Sequence, residues 1–118
     1  MERIRRLLGR LVSGRRWHVA IRVPAADQIP ANAPAWGAVM VGTPADPRWL
    51  AFDCPCGTGH QIMLNLDRRR TPCWIVTGAR RLTVTPSIDS RQSGHRCHYF
   101  IREGKVTWVP DKGKRDNG

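Results

Sequence analysis

Acidic residues are scarce in this chain of 118 residues: nine Asp and Glu stand against twenty Lys and Arg, for a formal charge of +11. A positive field of that size attracts nucleic acid, anionic lipid or an acidic protein without choosing among them. Lysine is scarce as well. Seventeen of the twenty basic residues are Arg, a bias that GC-rich coding also produces, so each Arg is not read as a phosphate contact. No stretch approaches the roughly 20 apolar residues of a membrane span. The apolar residues of the N-terminus are interrupted by Arg6, Arg10 and Ser13, where a secretory signal needs an unbroken run of about 7–15; a cytoplasmic location is the expectation. With four Cys the chain is no disulfide-dense toxin, and its length excludes a large enzyme or a channel. Long helices are disfavoured by 11 Gly and 9 Pro, which punctuate the chain into short elements.

What is present reads as one small domain, mainly β: a zinc-stabilised antiparallel β domain over 17–109, behind a basic amphipathic arm (1–16) and ahead of a flexible tail (110–118). In the arm, Ile4, Leu7, Leu8 and Leu11 recur at i, i+3, i+4 and i+7, predicting one N-terminal amphipathic helix with Arg on its other faces. Strands are predicted over 17–23, 36–41, 49–53, 61–66, 74–77 and 81–85. Pro86-Ser87-Ile88 is read as the start of a polar loop lasting to about Gly94. A closing hairpin follows, turning at Glu103-Gly104. So many short strands bury little apolar area, and a bound metal is a common remedy.

The chemistry is concentrated in two clusters. Cys54-Pro55-Cys56-Gly57-Thr58-Gly59-His60 puts two thiols and an imidazole into seven residues, and His95-Arg96-Cys97-His98 follows about 40 residues later. A tetrahedral zinc site takes four S or N ligands, typically two from each of two segments. Cys54, Cys56 and Cys97 are the expected thiolates, with His98, His60 or His95 as the fourth ligand. Adjacent strand residues face opposite ways, so Cys97 and His98 share a metal only where the backbone is irregular. Cys73 is expected in the core. A redox dithiol and a Rieske-type cluster are weaker fits, the latter because its Cys and His would fall in the wrong places. Ser87 shows no evident triad arrangement in the sequence, and Asp53 and Asp89 are the only carboxylates near the clusters.

Several stretches together resemble a bacterial and phage domain of unknown function. They are Trp49 to His60 with its Cys-Pro-Cys-Gly-Thr-Gly-His segment, Ile62 to Leu66, Trp74, Pro86-Ser87-Ile88, and Cys97-His98-Tyr99-Phe100-Ile101 with Gly104 and Trp108. The likeness covers about residues 36–109. Thr58 stands where many members carry a third Cys. In the closing segment one branch of the family has Cys-x-Ser-His, on which His95 replaces a Cys and His98 is retained, and another has Cys-His directly, on which Cys97 and His98 are the match. Some members lie beside genes for ubiquitin-like conjugation. The resemblance implies a metal site and a place in such a system. The expected function is therefore a non-catalytic zinc-binding accessory or adaptor of a ubiquitin-like modification or phage-defence system, meeting an acidic or ubiquitin-like pathway protein. A nucleic-acid-binding zinc domain and a zinc-dependent hydrolase are the alternatives, the former favoured by the charge and the five Trp.

Overall fold

The structure is a computed structural model that describes residues 15–92 and 95–110. The helix expected in the arm and most of the tail fall outside these residues. Eight strands form two four-stranded sheets. Sheet A holds β1 (His18–Val23), β2 (Gly37–Gly42), β3 (Pro47–Asp53) and β4 (Gln61–Asn65), in that order. Sheet B holds β5 (Ile75–Thr77), β6 (Thr83–Gln92), β7 (His95–Arg102) and β8 (Lys105–Trp108), also in order. A single 3-10 turn, Ala26–Gln28, is the one helical element among the described residues.

The sheets pack face to face through alternating side chains, as strand periodicity requires. Leu50 and Phe52 of β3 and Ile62 and Leu64 of β4 meet Val84 and Ile88 of β6 and Cys97, Tyr99 and Ile101 of β7. Burying a side chain of Phe52's size contributes roughly 1.5–3 kcal/mol. Trp17 closes the core, edge-on to Phe52 with ring centroids 5.4 Å apart. Sheet A is buried on its second face too. Val39, Val41 and Ala51 pack there beneath Ile29, which the 24–36 connection carries over them. That long connection is what allows β1 and β2 to run parallel, since a parallel pair needs a crossover of about a dozen residues. All the other strand pairs are antiparallel, so the expectation of a purely antiparallel domain is corrected at this one pair.

A second correction concerns the polar loop expected from Pro86. Most of that stretch belongs to β6, which continues to Gln92. Ile88 is fully buried and holds the strand in the core. Proline has no N–H for the ladder, and the register accommodates this with a bulge: Val84 pairs with Ile101 and Ile88 with Tyr99, so four steps along β6 match two along β7. The closing hairpin turns where expected, with Glu103 (φ 51°) and Gly104 (φ 79°) both left-handed, as a two-residue turn of this type requires.

Candidate active site and metal centre

One centre lies between the sheets. The loop after β3 is closed by the Cys54 N–H, which donates to the His60 carbonyl (3.0 Å), and by the Gly57 N–H, which donates to the Cys54 carbonyl (3.2 Å). Gly57 and Gly59 take φ of 81° and 89°, which residues with a Cβ rarely adopt, and so fold the loop back on itself. Against it β7 presents Cys97. One ligand atom from each of Cys54, Cys56, His60 and Cys97 lies within 4.8 Å of all the others. Cys54 and Cys97 are buried, while Cys56 and His60 are half-buried.

Hydrogen bonds organise the group. The Cys56 Sγ lies 3.0 Å from the Thr58 hydroxyl, and the Thr58 Oγ1 lies 2.9 Å from His60 Nδ1. Desolvation pushes the Cys56 thiol up, but hydrogen bonds from the Thr58 side chain and backbone, and from Cys54 and Cys97, together outweigh it and bring the thiol down from 9.0 to about 7. With the Thr58 hydroxyl donating to Cys56, His60 Nδ1–H donates to Thr58, and Nε2 is left to bind a metal. Burial and the neighbouring Cys56 and Cys54 push Cys97 up to about 12. Burial, then the hydrogen bond to Cys54 (3.6 Å), also raises the Tyr99 hydroxyl. Three sulfurs and one imidazole crowded in this way suit a tetrahedral divalent ion of the zinc type, which would take the place of the thiol protons. The described residues thus bring together Cys54, Cys56, His60 and Cys97. Of His95 only the backbone is described. Cys73 is half-buried outside the group, its thiol directed to the Trp74 carbonyl (3.6 Å).

His98 stands apart from this group. Strand alternation turns it to the outer face of sheet B, away from Cys97, and there its Nε2 lies 3.0 Å from the Ser87 Oγ. The four-residue cluster thus holds the three expected thiols and His60, while His98 is paired with a hydroxyl instead. Ser87 reaches this position because it sits in the bulge of β6, a device that re-aims a side chain. The Ser87 carbonyl accepts a hydrogen bond from Trp74 Nε1 (3.2 Å), which pins the bulge from the side of β5. Asp89 lies directly across the ladder from His98. Its carboxyl is held below the usual range, first by a two-point hydrogen bond from Arg96 (3.1 and 2.9 Å), then by the charges of Arg96, His98 and Arg91. A hydroxyl within hydrogen-bond reach of an imidazole, with an ionised carboxylate on the neighbouring strand, is the arrangement of an activated nucleophile and its base. In the sequence alone Ser87 shows no such partner. The signal was there in Pro86, which breaks the ladder, but pairing Ser87 with His98 needs the two-residue slip in register.

A two-sheet β sandwich carrying a Ser–His pair on one face and a Cys₃His cluster behind it is the class that fold and site define. The chain belongs to the family described as bacterial ubiquitination-like system serine protease (BubE), which matches residues 25–109. No curated protein and no solved structure matches it. Membership links the chain to bacterial ubiquitination-like systems, as the sequence resemblance implied. Among the described residues no helix is long and apolar enough to cross a membrane.

Proposed function

We propose that the protein is a serine hydrolase acting on polypeptides in a ubiquitination-like system, with Ser87 as nucleophile and His98 as general base. The observation that carries this reading is the 3.0 Å contact between Ser87 Oγ and His98 Nε2 on an outward-facing, half-buried surface, in a chain whose family is described as a serine protease. His98 Nε2 takes the hydroxyl proton as Ser87 Oγ attacks the acyl carbon. His98 then returns that proton to the leaving amine, and an acyl-Ser87 ester remains. Water, deprotonated by the same imidazole, hydrolyses the ester and restores Ser87. Asp89 lies across the ladder from His98, with both carboxylate oxygens held by Arg96.

The Cys54, Cys56, His60 and Cys97 cluster serves as a structural zinc site in this reading. When bound, the ion ties the β3–β4 loop to β7. All four positions are filled by protein side chains, which suits a structural site rather than a hydrolytic one that keeps a position open for water. The competing reading, a non-catalytic adaptor, shares the family and the metal site but gives the Ser87–His98 pair no role. The test uses a ubiquitin-like protein extended at its C-terminus by a short peptide. The wild-type protein removes the extension, and Ser87→Ala and His98→Ala do not. Equal processing by wild type and Ser87→Ala overturns the assignment, and binding without processing favours the adaptor.

A further inference from the structure

We infer that the free edge of β6 from Asp89 to Arg91 is the lane in which an extended polypeptide substrate docks, as an added strand that ends at Ser87; the inference rests on the Ser87 reading above. The backbone fixes which groups face that edge. The His98 carbonyl accepts from the Val109 N–H (2.9 Å), so the main-chain groups of His98 point toward the β8 side. In an antiparallel ladder a residue's N–H and C=O point to the same side, and residues not bonded to their partner point away from it. Asp89, paired with His98, therefore directs its N–H and C=O away from β7, and Arg91, two residues on, does the same.

On that side β5 pairs with β6 only from Thr83 to Thr85. Among the described residues no strand pairs with β6 beyond it. Asp89 and Arg91 thus present main-chain donors and acceptors to a strand position that no described strand fills, the condition for β-strand addition. The Ser87 carbonyl faces the same way, but the Trp74 indole already occupies it. Together, β5 and Trp74 close the lane at its Ser87 end. A peptide pairing with Arg91 and Asp89 is carried toward the nucleophile and has to leave the edge there, which brings its acyl bond to Ser87. Recognition through main-chain groups asks only that the substrate be extended, as an unfolded tail is and a folded surface is not.

The probe is a randomised pool of N-acetylated, C-amidated octapeptides, with cleavage read by mass spectrometry and the number of reactive sites read by fluorophosphonate labelling of Ser87. Arg91→Pro removes the edge-facing N–H and leaves the β6–β7 ladder its own hydrogen bonds; Arg91→Ala is the side-chain control. Cleavage per labelled Ser87 is expected to be about tenfold lower in Arg91→Pro than in Arg91→Ala, the scale of one lost hydrogen bond with a proline ring intruding on the lane. Equal rates overturn the lane. Amide hydrogen exchange in Ser87→Ala, with the same pool added, reads the lane directly and does not depend on how the proline variant folds. Slowed exchange at Asp89 and Arg91 supports it, and unchanged exchange overturns it. If wild-type Ser87 takes up no label, the nucleophile assignment fails, and the exchange result still decides whether this edge binds peptide.

Discussion

Cys97 and His98 are neighbours in β7, yet they serve two centres of opposite character. Cys97 points into the sandwich, where four side chains drawn from the β3–β4 loop and one strand are packed around a shared point. His98 points out, where two half-buried side chains on adjacent strands meet across a bulge. The inner centre owes its geometry to burial and a loop closed on itself. The outer one owes its geometry to a register slip and a single indole hydrogen bond. One sheet thus works as a wall: its dry side faces the Cys54, Cys56, His60 and Cys97 cluster, and its wet side carries the Ser87–His98 pair. Residues 97 and 98 share one peptide unit, so the two centres are covalently adjacent.

The sharpest way to separate the two centres is to remove each in turn. Ser87→Ala should lower peptide cleavage by about 10³-fold or more, the scale for losing a nucleophile, while metal content and thermal midpoint stay those of the wild type. Cys97→Ser, or a strong chelator, should release the metal and lower the thermal midpoint by about 10–20 °C, with cleavage lost because the fold loosens. Elemental analysis and calorimetry on the same samples check both. A Cys97→Ser protein that is as stable and active as wild type would break the proposed support of the outer centre by the inner.

Trp74→Phe tests the bulge. It keeps the ring and deletes the hydrogen bond to the Ser87 carbonyl, which should cost about 1 kcal/mol of stability and lower cleavage roughly tenfold as Ser87 loses its aim. A loss of stability with no loss of rate would show that the bulge holds its shape unaided. The smallest effect is expected far from both centres. The side-chain hydrogen bond from Arg69, then the Arg69 backbone N–H, hold the Asp67 carboxyl at about 2, against an ordinary value of 3.8. A folded-state pKa depressed in this way contributes stability above the unfolded value that is lost as pH falls from about 4 to about 2. Asp67→Asn should flatten that part of the acid unfolding curve and leave cleavage at neutral pH unchanged.

The two centres were also unequally legible. The cluster around Cys54 could be read from the sequence because its signal is chemical: thiols and imidazoles packed at close spacing between strands have few other uses. In the strand expected over 61–66, Ile62 and Leu64 do fall together on the core face. The choice among His60, His95 and His98 could not be made, because it depends on which way β7 presents each residue to a loop distant in sequence. Ser87 lay behind a proline that reads as the start of a loop, and only Ile88 and Asp89 pairing across to Tyr99 and His98 show that the strand continues. The parallel β1–β2 pair was hidden for a related reason, since local pattern marks strands but not the direction in which they associate. Residues 1–14, where the amphipathic helix was expected, lie outside the described structure.

The central claim is that Ser87 is a nucleophile activated by His98. Incubation of the purified protein with a small fluorophosphonate, followed by digestion and peptide sequencing by mass spectrometry, tests it directly. The account predicts one adduct per chain, located on Ser87 and absent from His98→Ala. No adduct on the wild-type protein, or an adduct on Ser87 that His98→Ala leaves undiminished, would contradict it.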